Sequence, residues 1–288
     1  MEGIQGVMEK LQTRSGVGNP YANMSWVDIS RLKCEEYNKS KGFQGEIDGY
    51  DCKKCQNRGD FAEMKYINND WYEVHPLCSC MAIRKTILRL MKSGLKNVIK
   101  DYTFDKYEAS EPWQQQIKNK AIDYTKSPDG WFFIGGQSGA GKTHICTAIA
   151  GHFLKNEKQV SYMLWRDEIT RLKACITDAE KYAELINGFK KIDVLYIDDL
   201  FKNGKGADGK VSPPTRSDID IAFEILNYRI NNKELITIIS SERTIYDLLA
   251  IDEALGGRIS EMSFNRGFGF NINSDKKKNY RTKNITNL

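Results

Sequence analysis

The sequence predicts an α/β protein, a mostly parallel sheet flanked by helices, preceded by a small N-terminal domain that carries paired cysteines. Three observations predict it. Short apolar runs at 131–134, 160–164, 194–197, 235–239 and 268–272 alternate with helical periodicity at 142–156, 166–187 and 217–232. Such alternation implies parallel strands covered by helices. The run at 131–134 passes directly into "GGQSGAGKTHI", a glycine cluster that opens the next helix. Four of the seven cysteines fall in two close pairs upstream of the first of these strands.

A chain of 288 residues can hold two domains with cores of their own. With 40% hydrophobic and 28% charged residues the composition is globular, not that of a disordered chain. No apolar run approaches the roughly 20 residues of a membrane span. The N-terminal stretch lacks the apolar core of a secretion signal, so a cytoplasmic protein is expected. The net charge of +5 permits nucleic-acid contact without arguing for it. Residues 1–100 are read as the N-terminal domain and 101–288 as the α/β domain.

Residues 1–100 open with helical pattern, and the cysteine pairs Cys52/Cys55 and Cys78/Cys80 follow. In a reducing compartment such pairs favour metal over disulfides. A C-x2-C turn offers two thiolates to one tetrahedral Zn2+. C-x-C is less usual, because alternating side chains must converge, so His75 is a candidate substitute ligand. Four ligands leave no open position, which makes the metal structural, and it would stabilise a domain too small for a large core. The alternative is four free thiols or a redox pair. Cys34 is isolated; Cys146 and Cys175 lie in helical stretches and are expected to be buried thiols. The basic stretch 81–95 places Ile83, Ile87, Leu88 and Met91 on one helical face.

In the second domain, 136–143 satisfies G-x-x-x-x-G-K-[ST] between a strand and a helix, the context that motif requires. Backbone amides of Gly136, Gly139, Ala140 and Gly141, with Lys142, Thr143 and His144 opening the helix, can turn toward phosphate oxygens. The positive end of the helix dipole adds to them. Lys142 is placed to reach the β- and γ-phosphates of ATP, and the Thr143 hydroxyl to ligate Mg2+. The run "IDVLYIDDL" reads as a strand buried on both faces and ending in Asp198 and Asp199. At that end of a parallel sheet Asp198 would hold Mg2+ and Asp199 orient or deprotonate the attacking water. The strand "LITIISSE" ends in Ser240, Ser241 and Glu242. A serine there is a candidate γ-phosphate sensor, or a cap for a helix near Thr244. Residues 203–217, rich in glycine, proline and basic residues, read as a loop, and the basic tail beyond 273 as exposed.

With these motifs in hand, the chain resembles the AAA+ ATPases. Within them it is similar to the DnaC/DnaI-type bacterial helicase loaders and the IstB-like transposition helper ATPases. "GGQSGAGKTHI", "LYIDDL", "TIISSE", "LLAIDEALGGRISEM" and the lead-in "DYTFDKYEAS" carry the resemblance, and the upstream cysteine pairs are similar to the zinc-bearing domain of some loaders. The resemblance implies a P-loop AAA+ sheet without the usual helical lid. It implies ATP, Mg2+ and Zn2+ as cofactors, and catalytic roles for Lys142, Asp198, Asp199 and Ser241. Glu242 departs from the family's sensor, and a carboxylate there would repel a γ-phosphate. Arg258 matches the arginine that reaches a neighbouring subunit's ATP; otherwise it merely caps its helix. Arg281 is a weaker candidate near the phosphates in cis. The implied partners are a replicative hexameric helicase, single-stranded DNA and further copies of this chain at ATP interfaces. Lys202, Lys205, Lys210 and Arg216, with Phe201, are the candidate DNA contacts; otherwise they are ordinary loop charges. The implied function is loading that helicase onto single-stranded DNA. The alternative is a transposition helper that binds a transposase or target DNA; a small-molecule kinase and a nucleotide-gated adaptor with negligible turnover are further rivals.

Overall fold

The computed structural model describes residues 24–90, 101–203 and 212–281. Met91, Lys205 and Lys210, and with them most of the expected loop, lie outside the described residues. The chain forms two compact units, Met1–Met81 and Ala82–Leu288. This boundary lies inside a helix, upstream of the expected one near residue 100.

The first unit has helices α1 (Trp26–Lys39) and α2 (Gln44–Asp48) and a hairpin of β1 (Glu63–Ile67) and β2 (Asp70–Val74). It ends at the start of α3 (Cys80–Leu90). Ser25 caps α1 by accepting the Asp28 N–H at 3.2 Å. The hairpin turns on Asn68 and Asn69, with φ of 51° and 66°. Asparagine tolerates this left-handed region better than most residues, and a two-residue turn of that twist matches the twist of its strands. The unit's buried centre is the four paired cysteines, packed by Tyr50, Phe61 and Met81.

The second unit is built on a five-stranded sheet of β3 (Trp131–Gly136), β4 (Val160–Leu164), β5 (Val194–Asp198), β6 (Ile236–Ser241) and β7 (Gly269–Ile272). The spatial order is β4-β5-β6-β3-β7 and every pairing is parallel. Every residue of β3, β5 and β6 is buried, which is why these strands read as unbroken apolar runs and not as alternation. Helices α4 (Pro112–Lys126) and α5 (Lys142–Lys155) cover one face, where Tyr124 packs on Phe132 and Phe153. The other face is covered by α6 (Trp165–Ala174), α7 (Ala179–Lys190), α8 (Arg216–Ile230), α9 (Ile245–Ile251) and α10 (Glu253–Ser263). Its core contains Trp131, Phe133, Trp165, Phe201, Ile225 and Ile259.

Three expectations are corrected. The single helix over 166–187 is two, because the chain turns at Cys175 (N–H to the Leu172 carbonyl, 3.1 Å) and restarts where Asp178 caps α7. Cys175 is therefore half-buried at a helix end, whereas Cys146 is fully buried. On α3, Ile83 and Ile87 are buried, but Leu88 is 40% exposed and leaves their face. The sequence reading also passed over Arg229, which is fully buried on α8. Its guanidinium donates to the Thr237 hydroxyl and to the carbonyls of Phe189, Lys190, Ile192 and Ile236 at 2.7–3.1 Å. One side chain thus satisfies the backbone that joins α7 to β5 and opens β6.

Candidate functional site

The glycine cluster closes β3 with a sharp turn. Gly136, Gly139 and Gly141 have φ of 104°, 74° and 83°. A Cβ on Gly136 would stand 2.1 Å from the Ile272 carbonyl oxygen of the neighbouring strand, so only glycine fits there. Helix α5 begins at Lys142, so its free amides and dipole face the space enclosed by the loop. Lys142 is 5% exposed, and its Nζ donates to the carbonyls of Gly136 and Gln137, each at 2.8 Å. Burial lowers its pKa, opposed by the charges of Asp199 and Glu242.

Asp198 ends β5 with its carboxylate 3% exposed and surrounded by hydroxyls. Tyr162 donates to Oδ2 at 2.8 Å; Tyr196 and Thr143 donate to Oδ1 at 2.7 and 3.3 Å, and Ser240 donates to the same oxygen. The strand register carries this arrangement: Tyr162 stands opposite Tyr196, and Leu164 opposite Asp198. Burial and the neighbouring carboxylate push both tyrosine hydroxyls well up in pKa, so they remain donors. Thr143 and Asp198 form an oxygen-only pair beside the phosphate loop, the donor chemistry that Mg2+ takes, and so they fit it.

Asp199 points into the cleft. Its pKa is raised by burial and by Asp198, against the opposing charge of Lys202. The cleft has a volume of about 350 Å3, and Ser138, Gly139, Lys142, Thr143, Asp199 and Glu242 line it. Tyr102, Tyr107, His144, Tyr280 and Arg281 also line it, as do Lys106, Glu108 and Lys202. His144 stacks on Tyr102 (centroids 4.5 Å apart, planes 8° apart) and its Nε2 donates to the Thr103 carbonyl at 2.9 Å. Burial lowers the His144 pKa, which favours the neutral ring. The Tyr280 N–H donates to the Gly139 carbonyl at 3.0 Å. Concave shape, phosphate-loop amides, the Lys142 ammonium and flat aromatic rings together fit a nucleotide with its phosphates on the loop.

The structure therefore brings Gly136, Gly139, Ala140, Gly141, Lys142, Thr143, His144, Asp198 and Asp199 to one place. Ser241 is not part of it: its hydroxyl donates to the Leu200 carbonyl at 2.8 Å and accepts the Arg243 N–H at 3.0 Å. Ser240 touches Asp198 instead, and Glu242 is the residue of this strand end that lines the cleft. Arg258 also lies apart from the cleft. It donates to the Ala254 carbonyl of its own helix at 3.0 Å, with its guanidinium 4.6 Å from the Phe223 ring. Lys202 turns into the cleft, and Arg216 pairs with Asp220 at 2.9 Å, so these two do not form a basic patch. Sequence reasoning missed Tyr162, whose place needs the β4–β5 register, and Tyr196, which lies two residues before Asp198 on β5. Tyr102 and Tyr107 lie in the lead-in segment already singled out.

In the first unit, the sulfurs of Cys52, Cys55, Cys78 and Cys80 all lie within 4.8 Å of one another. Cys52 and Cys78 are 3.9 Å apart, and Cys55 and Cys80 3.5 Å. Zn–S bonds of about 2.3 Å in a tetrahedron require S–S separations of about 3.8 Å, so the cluster fits zinc. The Gly59 N–H donates to Cys55 Sγ at 3.3 Å. Burial acts to raise the Cys55 pKa, but this amide and the neighbouring thiols outweigh it and bring it to about 7. Burial raises that of Cys78. His75 is not a ligand: its ring faces Glu73 (3.1 Å) and Asp60 (3.6 Å), outside the cluster.

This fold and cleft define a P-loop nucleotide-binding protein of the AAA+ class. Residues 98–264 match the family described as the bacterial DnaA ATPase domain. The chain is 33% identical over 237 residues to the phage-like element PBSX protein XkdC of Bacillus subtilis (strain 168), covering 77% of this chain and 83% of that one. It is 32% identical over 210 residues to YqaM of the same organism, covering 67% and 63%. It is 24% identical over 117 residues to the replicative helicase loader DnaC of Buchnera aphidicola subsp. Baizongia pistaciae (strain Bp), covering 38% and 47%. The chain belongs to the family of the bacterial DnaA ATPase domain, a family of AAA+ ATPases. Among the described residues no helix is long and apolar enough to cross a membrane.

Proposed function

We propose that this protein is an ATP-driven loader that places a replicative hexameric helicase on single-stranded DNA. The supporting observation is the pairing of the Lys142–Thr143–Asp198–Asp199 cleft with a four-cysteine module, in a chain similar to a DnaC loader. Bound Mg2+ would shield the triphosphate's charge. The chain's own residues do the rest. Loop amides and Lys142 hold the phosphates, and the hydroxyls around Asp198 fix that carboxylate as the metal's anchor. Asp199, its pKa raised, takes the proton of the attacking water. Arg258, half-buried on α10 beside Phe223 and apart from the cleft, serves a neighbouring copy's site and makes turnover depend on assembly. Cys52, Cys55, Cys78 and Cys80 would hold a structural zinc, and the unit they organise is the surface that meets the helicase.

The test compares wild type with Lys142→Ala for ATP hydrolysis, with and without single-stranded DNA and the host's replicative helicase. Wild type should hydrolyse ATP and deliver helicase to a single-stranded circle, and the variant should lose at least about 100-fold in turnover. Hydrolysis by wild type in no mixture would end the motor reading. Recruitment of a transposase instead of the helicase would favour the transposition helper.

A further inference from the structure

The cleft has an electrostatic problem. Its proposed ligand is a polyanion, yet Asp199 and Glu242 both line it and Asp198 lies just behind. Like charges in a partly buried site repel strongly. Lys142, Lys106 and Arg281 also line it, with Glu108 a further carboxylate; the Lys142 ammonium rests on two loop carbonyls and that of Lys106 pairs with Asp101 at 2.8 Å.

Lys202 answers the two carboxylates. Its Nζ is 2.7 Å from Asp199 Oδ2 and 3.0 Å from Glu242 Oε1, and it lines the same cleft. The chain is bent sharply to put it there. Asp199 and Phe201 are non-glycine residues with φ of 58° and 59°. Backbone strain of this kind persists where surrounding structure enforces it. Here Ser240 enforces it: its hydroxyl accepts the Asp199 N–H at 3.0 Å and its carbonyl accepts the Leu200 N–H at 2.9 Å. The Lys202 N–H closes the turn on the Asp199 carbonyl at 2.9 Å, and buried Phe201 locks it against Trp165. Glu242 lines the cleft together with Ser138 of the phosphate loop. An ion-paired run therefore joins the turn after β5 to the end of β6 beside that loop, through Lys202 and Glu242.

Resting on the ATPase reading above, we infer that Lys202 is the residue that distinguishes a nucleoside triphosphate from a diphosphate in this chain. Its ammonium, shared between Asp199 and Glu242, offsets part of the negative charge of the two carboxylates that would otherwise repel a terminal phosphate. The same ammonium offers that phosphate a cation in cis. Glu242, anomalous as a sensor by itself, is the partner that holds the ammonium in place.

The test measures binding of a fluorescent ADP and of a non-hydrolysable fluorescent ATP analogue, with Mg2+, to the full chain. Lys202→Met should weaken analogue binding about ten-fold or more and change ADP binding by no more than about three-fold. Lys202→Arg should keep most of the discrimination. Adding Glu242→Gln to Lys202→Met should recover part of the analogue affinity, because a bare carboxylate is then removed. A merely structural role would weaken both nucleotides together and show no such recovery. The inference is overturned by an unchanged ATP-to-ADP ratio in Lys202→Met, or by a double variant no better than the single one. It is equally overturned if the ratio collapses in Arg281→Ala and not in Lys202→Met. If wild type binds neither nucleotide, the ATPase reading itself falls and this inference falls with it.

Discussion

Tyr162 and Tyr196 hold one carboxylate from two adjacent strands, and the consequence is measurable. Tyr162→Phe removes the donor at 2.8 Å from Asp198 Oδ2 and little else. A hydrogen bond to a charged group contributes about 1.5–3 kcal/mol, part of which appears as stability. The rest should appear as a looser metal anchor: the Mg2+ concentration for half-maximal binding of the ATP analogue should rise about three- to ten-fold. An unchanged Mg2+ midpoint would show that the tyrosine only packs. At this scale the gathering of the glycines, Lys142, Thr143, Asp198 and Asp199 around one cleft was legible because each sits in a short contiguous motif. Tyr196 was within reach of the sequence, since period two puts it on the Asp198 side of β5. Tyr162 and Lys202 were not, because a strand register and a strained turn place them.

Helix α8 shows how elements are held. Asp218 accepts the Thr215 N–H (2.7 Å), pairs with Lys173 of α6 at 2.6 Å, and is buried. Burial alone would raise its pKa, but the Lys173 and Thr215 contacts outweigh it and the net shift is downward. A carboxyl depressed in the folded state stabilises the fold above its unfolded pKa of about 4 and loses that contribution as pH falls through the lower folded value. Asp218→Asn should therefore cost about 1 kcal/mol at pH 7, and stability should fall less steeply below about pH 4 than in wild type. Parallel acid-denaturation curves for the two proteins would refute this. Elements of the α/β unit were largely legible, since buried parallel strands announce themselves as apolar runs; β4 falls at 160–164 as expected. The break between α6 and α7 was not, because apolar periodicity continues across Asp178, the cap that restarts the helix. The hairpin was also passed over, although Asn68–Asn69 is a two-residue turn signal in plain view.

For the whole molecule, the two units draw stability from different sources. The α/β unit buries aromatic and aliphatic residues on both sides of its sheet, whereas the cysteine unit has four sulfurs at its centre. One zinc per chain is expected by elemental analysis. Removing it with a strong chelator should unfold the first unit and leave nucleotide affinity of the second within about two-fold. A metal-free preparation with unchanged amide dispersion over residues 24–81 would refute a structural metal. Within the α/β unit, the phosphate loop is tied to the end of β7 and to the chain beyond it: the Gln137 N–H donates to the Ile272 carbonyl, and the Tyr280 N–H to that of Gly139, each at 3.0 Å. Whatever reshapes the loop's apex must tug on that distant stretch, so a solvent-exchange signal at the Tyr280 amide would serve as a built-in gauge of the loop.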